Sequence, residues 1–152
     1  MERWEDLSPG QQRAWTGFLT THAAIVEVLD GELREAHALP LAWFDVLIHL
    51  SRAPRGELRM ATLARVVRFS RGGLTRLVQR IERDGLLRRR EGGTYPRTVY
   101  ACITRAGRER LREAIPTHLT GIQRLYLDRL SPDQVTQLSA VWDRLDHPAA
   151  EP

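Results

Sequence analysis

The stretch FSRGGLTRLVQRIERDGLLRRR, residues 69–90, packs seven arginines into twenty-two positions and sets two glycines side by side at 72 and 73. An arginine fork binds phosphate oxygens or a guanine edge through paired hydrogen bonds, so this density is chemistry for holding a polyanion. Leu74, Leu77, Val78 and Ile81 recur at helical spacing and cover about 100° of arc. Gly72, Thr75, Arg76, Gln79, Arg80 and Arg83 then occupy the remaining surface, and Arg71 sits in the first turn beside the free amide groups. Ser70 is the natural N-cap. The glycines cost helix stability, roughly 1 kcal/mol each in a helix interior and less at an end. In return they allow a helix N-terminus to approach another surface closely, which suits a DNA major groove and its flanking phosphates.

Charge is concentrated here. Residues 68–112 hold thirteen arginines against four acidic residues, whereas the rest of the 152-residue chain holds ten against fifteen. There is no lysine, so codon usage inflates the arginine count, but it would act along the whole chain and does not create the asymmetry. A basic face on a globular chain points first to nucleic acid.

Other chemistries find little support. The five histidines, His22, His37, His49, His118 and His147, include no pair at i, i+3 or i+4 spacing, so no helical metal site is expected, nor any cofactor or catalytic centre. The single cysteine, Cys102, excludes an internal disulfide and reads as a packed, inert thiol. No uncharged stretch approaches the ~20 residues that span a bilayer, and MERWEDLSPG is unlike a signal peptide, so no membrane partner and a cytoplasmic location are expected.

The basic segment must be positioned by the elements around it, and these read as mostly helical. LSPGQ opens a first helix with Ser8 as cap, Pro9 at the first position and Gln11 closing a capping box; it should run over 9–36, buried on two sides. A second helix is predicted over 41–52, ended by RAPRG. MATLARVV places Met60, Leu63, Ala64 and Val67 on one face, and the short break before Ser70 makes a helix-turn-helix with the arginine-rich helix. LLRRR and VYACI read as two strands joined by EGGTYPRT, a hairpin wing that carries Arg97 and is entered through Arg88, Arg89 and Arg90. Thr104 should cap a helix running to about Leu130 through Pro116, and LSPDQ at 130–134 repeats the capping chemistry before a last helix ending near 146.

The fold class implied is mainly α with a small β-hairpin wing: a winged helix-turn-helix over 41–103, flanked by long terminal helices at 9–36 and 104–146, in one domain. The terminal helices carry more apolar surface than the small central part can cover. A homodimer solves this, with Leu125, Leu127, Val135, Leu138 and Trp142 as the contact residues, and it places two recognition helices on one duplex.

In the order of these segments, above all SRGGLTRLVQRIERDGLL and RTVYACITRAGRE, the chain resembles the MarR family of bacterial transcriptional regulators. The resemblance covers nearly the whole chain. It implies a regulator, a repressor in the first instance, that binds a pseudo-palindromic operator in double-stranded DNA. Ser70, Arg71, Gly72, Thr75 and Arg76 would be recognition-helix contacts and Arg97 the wing arginine; Gln79, Arg80, Arg89 and Arg90 complete the candidate DNA set. Relatives commonly bind small aromatic or anionic effectors in a cleft, which Trp15, Phe18, His22, Trp43 and His49 could line. The chain departs from the family where an acidic residue usually stands two positions before the wing arginine; here it is Tyr95. The competing reading is a winged-helix protein-interaction module whose basic face meets an acidic partner.

Overall fold

The computed structural model describes residues 3–92 and 98–146; Tyr95, Pro96, Arg97 and His147 lie outside the described residues. In chain order come a 3-10 turn (Trp4–Asp6), helices α1 (Pro9–His37) and α2 (Leu41–Arg52), a 3-10 turn (Pro54–Gly56), strand β1 (Glu57–Arg59) and helices α3 (Met60–Val66) and α4 (Arg71–Arg83). Strands β2 (Leu87–Glu91) and β3 (Val99–Ile103) follow, then α5 (Arg105–Leu125), a 3-10 turn (Leu127–Arg129) and α6 (Pro132–Asp146). The chain forms two compact units, residues 26–118 and residues 1–25 with 119–152.

The first unit is built on an apolar core to which each element contributes one face. Leu33, Leu39, Val46, Leu47, Leu50, Leu63, Val78, Ile81 and Ala101 are completely buried there. Its helices end by identifiable chemistry. At the end of α1 the amides of Ala38 and Leu39 bond the carbonyls of Arg34 and Leu33, which requires a left-handed residue that here is Ala38, at φ 49°. At the end of α4 the same work falls to Gly85, at φ 74°, with the Leu86 amide bonded to the Ile81 carbonyl. The start of α5 docks on that turn: the Thr104 hydroxyl bonds the Gly85 carbonyl at 2.7 Å and accepts the Gly107 amide at 3.0 Å. Gly107 lies so close to the Leu86 carbonyl that any side chain there would collide with backbone.

The wing sheet has three strands in the order β1-β3-β2, all antiparallel. Strand β1, absent from the hairpin that the sequence predicts, is only three residues long and forms by pairing with the free edge of β3 in the register Glu57 to Cys102 and Arg59 to Tyr100. Alternation divides the sheet. Ala101, Ile103 and Leu87 turn into the core, while Glu57, Arg59, Arg88, Arg90, Tyr100 and Cys102 share the other face.

In the second unit the capping boxes form as their spacing predicts. Ser8 and Gln11 exchange hydrogen bonds of 2.8 and 3.3 Å, and Ser131 and Gln134 repeat them at 2.8 and 3.2 Å. The helix expected to reach Leu130 stops at Leu125, because the backbone leaves helical angles at Tyr126 and the next turn is 3-10. The extended backbone of Leu130 then leads into the cap at Ser131. Among the described side chains of α6 none is buried within one chain, and Trp15, Phe18, Leu119, Val141, Trp142 and Leu145 remain exposed.

Candidate nucleic-acid interface

Helix α4 is placed by its apolar stripe. Leu74, Leu77, Val78 and Ile81 are buried, which turns Arg71, Gly72, Thr75, Arg76, Gln79 and Arg80 outward. The helix is started by Ser70, whose hydroxyl accepts the Gly73 amide at 3.1 Å, and Thr75 bonds back to the Arg71 carbonyl at 2.9 Å. Gly72 faces open space: a Cβ built there meets nothing within 4 Å, so the chain's own packing does not require this glycine. Among the described residues no ion pair involves Arg71, Arg76 or Arg80, and their charge is uncompensated on one exposed surface.

The wing arginines are different. Arg89 and Arg90 each hold a carboxylate. The side chain and amide of Arg89 both bond Glu82 of α4 at 2.7 Å, which fixes β2 against the recognition helix. Those bonds, the amide's first, hold the Glu82 carboxyl below its ordinary range. Arg90 uses one terminal nitrogen to bond both oxygens of Glu57, at 3.0 and 2.9 Å, and lies over the Tyr100 ring at 4.7 Å. That clamp ties β1 to β2 across β3, and its hydrogen bond is the main cause that keeps the Glu57 carboxyl below its usual value. Each arginine keeps side-chain donors beyond these bonds, since the guanidinium carries five.

The clamp residues Glu57, Arg59 and Tyr100 were not singled out by sequence reasoning. The only available signal was the alternation that sets Tyr100 and Cys102 opposite Ala101 and Ile103. Cys102 is buried, and burial, with the Glu57 carboxylate beside it, raises the thiol pKa, the wrong direction for a reactive thiolate.

The five candidate effector residues fall in different units. Trp15, Phe18 and His22 form a run on α1, with ring centroids 6.3 and 6.2 Å apart, and Phe18 also meets Trp142 of α6 at 5.5 Å. Trp43 packs on the core of the other unit, and His49 is half-buried there. The candidate dimer residues Leu125 and Leu138 are half-buried, and Leu127, Val135 and Trp142 are exposed. A further titratable group was missed. His118 is held against Phe44 at 4.4 Å with its Nδ1 buried and unpaired. Burial lowers its pKa and raises that of nearby Asp45. Among the described residues no group of histidine, cysteine and carboxylate side chains could hold a metal, and no helix is long and apolar enough to cross a membrane.

Comparison with known proteins agrees with this geometry. A family model described as MarR family matches residues 38–94, which span α2 through β2. The HTH-type transcriptional regulator YkoM of Bacillus subtilis is 32% identical over 84 residues, and the match spans about half of either chain. Two crystal structures from Streptomyces coelicolor superpose nearly end to end. Sco3205, a MarR family transcriptional regulator in complex with DNA, is 28% identical with a TM-score of 0.89, covering 98% of this chain and 94% of its own. AbsC, another MarR family transcriptional regulator, is 26% identical with a TM-score of 0.88, covering 95% and 96%. These relatives are regulators rather than enzymes. The winged helix-turn-helix and the long terminal helices are thus similar, along nearly the full chain, to those of MarR family transcriptional regulators.

Proposed function

We propose that the chain acts as a homodimeric repressor that binds a pseudo-palindromic operator in double-stranded DNA. The observation that carries this reading is the outward face of α4, where Arg71, Arg76 and Arg80 enter no ion pair among the described residues and stand beside Gly72, Thr75 and Gln79 on a helix whose other face is buried. Such a helix fits the major groove, with its N-terminus toward the phosphates. In this reading Ser70, Arg71, Gly72, Thr75, Arg76, Gln79 and Arg80 face the duplex, while Arg89, Arg90 and Arg97 bring the wing to the backbone. That a similar protein was crystallised in complex with DNA supports the reading of a DNA-binding regulator.

The exposed apolar surface of the second unit supports dimerisation. A helix such as α6, with Val135, Val141, Trp142 and Leu145 exposed, leaves apolar surface that a second copy would cover. Residues 9–36 and 104–146 supply that contact, with Leu125, Leu127, Val135, Leu138 and Trp142 at its centre, and 41–103 supplies the DNA-binding part of a single domain. A small aromatic or anionic effector would release the duplex.

Selection of duplexes from a random pool, followed by mobility shift against scrambled competitor, tests the reading. One enriched sequence with two-fold symmetry is the expected result. Enrichment of no duplex at low salt would overturn it in favour of a protein-interaction module.

A further inference from the structure

Between the start of α3, the first turn of α4 and the wing strands, the fold leaves a cleft of about 530 Å³ whose lining includes Arg59, Arg71, Thr75, Arg89 and Thr98. Three guanidiniums therefore surround one space. Only Arg89 has a counter-charge, the Glu82 carboxylate at 2.7 Å; Arg59 and Arg71 enter no ion pair among the described residues. The cleft is consequently cationic.

Arg59 is held in place there. It donates Nε to the Tyr100 hydroxyl oxygen at 3.3 Å, and its cross-strand register puts it directly opposite Tyr100. The Tyr100 ring is fixed from the other side by Arg90, and Arg90 by Glu57. This chain of contacts orients a guanidinium whose terminal nitrogens make no hydrogen bond to a described residue. A planar fork whose terminal nitrogens have no described partner, beside a second arginine that enters no ion pair among the described residues, matches the oxygens of a phosphate.

We propose that this cleft seats one phosphodiester of the DNA backbone, with Arg59 and Arg71 as its ligands and Tyr100 as the residue that positions Arg59. The inference rests on the DNA-binding reading above and extends it to a residue outside the recognition helix and wing arginines. The cleft adjoins the exposed Thr75 and Arg71 of α4, where the backbone of a duplex would pass once α4 enters the groove.

The test is a salt series of anisotropy titrations on the duplex that the wild-type chain selects and on a scrambled one. Arg59→Ala should weaken both about tenfold, the scale of one charge-assisted bond. It should also lower the slope of log affinity against log salt by about 0.9 per subunit. Tyr100→Phe keeps the ring under Arg90 and removes only the acceptor, so a smaller loss on both duplexes with an unchanged melting temperature is expected. Arg52→Ala, exposed at the end of α2, should match wild type. A scan with single neutral methylphosphonates should find one position per half-site where wild type weakens and Arg59→Ala weakens no further. Selection of a duplex by wild type together with an unchanged slope in Arg59→Ala would overturn the cleft assignment and leave the regulator reading standing. Failure of wild type to select any duplex would overturn both. Release of the duplex by inorganic phosphate at constant ionic strength would make the cleft a free-anion seat and overturn the backbone assignment.

Discussion

Gly72→Ala separates what the fold needs from what the ligand needs. Gly72 is the second residue of α4, and an added Cβ meets nothing within 4 Å. It is not among the residues in the left-handed region, so alanine is tolerated by the backbone. Removing glycine's freedom in the unfolded chain at such a position stabilises a protein by about 0.4–1 kcal/mol. In the first turn of a helix the lower end applies, about 0.5 kcal/mol, which corresponds to a rise in melting temperature of roughly 1–2 °C for a chain of this length. Duplex binding should change the other way. If α4 approaches DNA through this surface, the new methyl group intrudes on a close contact, and overpacking of that kind costs about 1–3 kcal/mol, or roughly five- to 150-fold in affinity. Thermal unfolding by circular dichroism and anisotropy titration, at one protein concentration, read the two effects. Gly73→Ala is the contrasting control. Its Cβ would lie 3.0 Å from the Ser70 hydroxyl and disturb the cap, so its melting temperature should fall. A Gly72→Ala protein that melts higher and binds DNA as tightly as wild type would refute the claim that the glycine serves close approach.

The other perturbations are simpler to state. Ala38→Gly relieves a left-handed alanine at the exposed end of α1 and should stabilise the chain by about 1 kcal/mol in chemical unfolding; a destabilised variant would contradict the helix-end geometry. Arg76→Ala should lose about 1–3 kcal/mol on the selected duplex and relax preference at one base pair, whereas equal losses on selected and scrambled duplexes would reassign Arg76 to the backbone. Trp142→Glu, on the exposed apolar face of α6, should shift light scattering from dimer toward monomer, and an unaltered dimer would move the interface elsewhere. Burial lowers the folded pKa of His118, so the unfolded chain takes up the proton first as pH falls through 6.5 and stability drops on that side. Asp45, raised by burial, contributes with opposite sign: its stability is present at low pH and lost as pH rises above its ordinary 3.8 through the elevated folded value. Melting at pH 7.5 and 5.5 should therefore differ less in His118→Gln than in wild type, and an equal difference would remove His118 as the cause.

What the sequence made legible was what is local. Ser8 with Gln11, Ser70, Thr104 and Ser131 with Gln134 cap helices through partners three residues away, and spacing alone predicts such bonds. The buried stripe of α4 and the division of its outer face followed from periodicity in the same way. Strand β1 was not legible, because three residues carry no period and Glu57–Arg59 become a strand only where β3 offers an edge more than forty residues further along the chain. The clamp from Glu57 to Arg90 spans 33 residues, and a count of charges cannot tell a paired guanidinium from a free one. His118 was invisible for a related reason: an unpaired buried nitrogen is a property of packing, not of spacing.

This distinction changes the meaning of the arginine excess from which the functional reading began. Arg89, Arg90 and Arg105 sit against Glu82, Glu57 and Glu109, so part of the basic segment neutralises carboxylates within the fold. Exposed pairs of this kind contribute little stability each. Their geometric effect is larger, since two of them lock β2 to α4 and β2 to β1. The wing root is thereby held at a fixed offset from the recognition helix before any duplex arrives. Among the described arginines that enter no ion pair, Arg71, Arg76 and Arg80 lie on the outer face of α4, and Arg59, from outside the segment, lies in the cleft beside it. One residue type thus does two kinds of work that depend on its neighbours: arginines opposite a glutamate fix the spacing of the surface, and arginines without one would, on the reading proposed above, supply its attraction for phosphate.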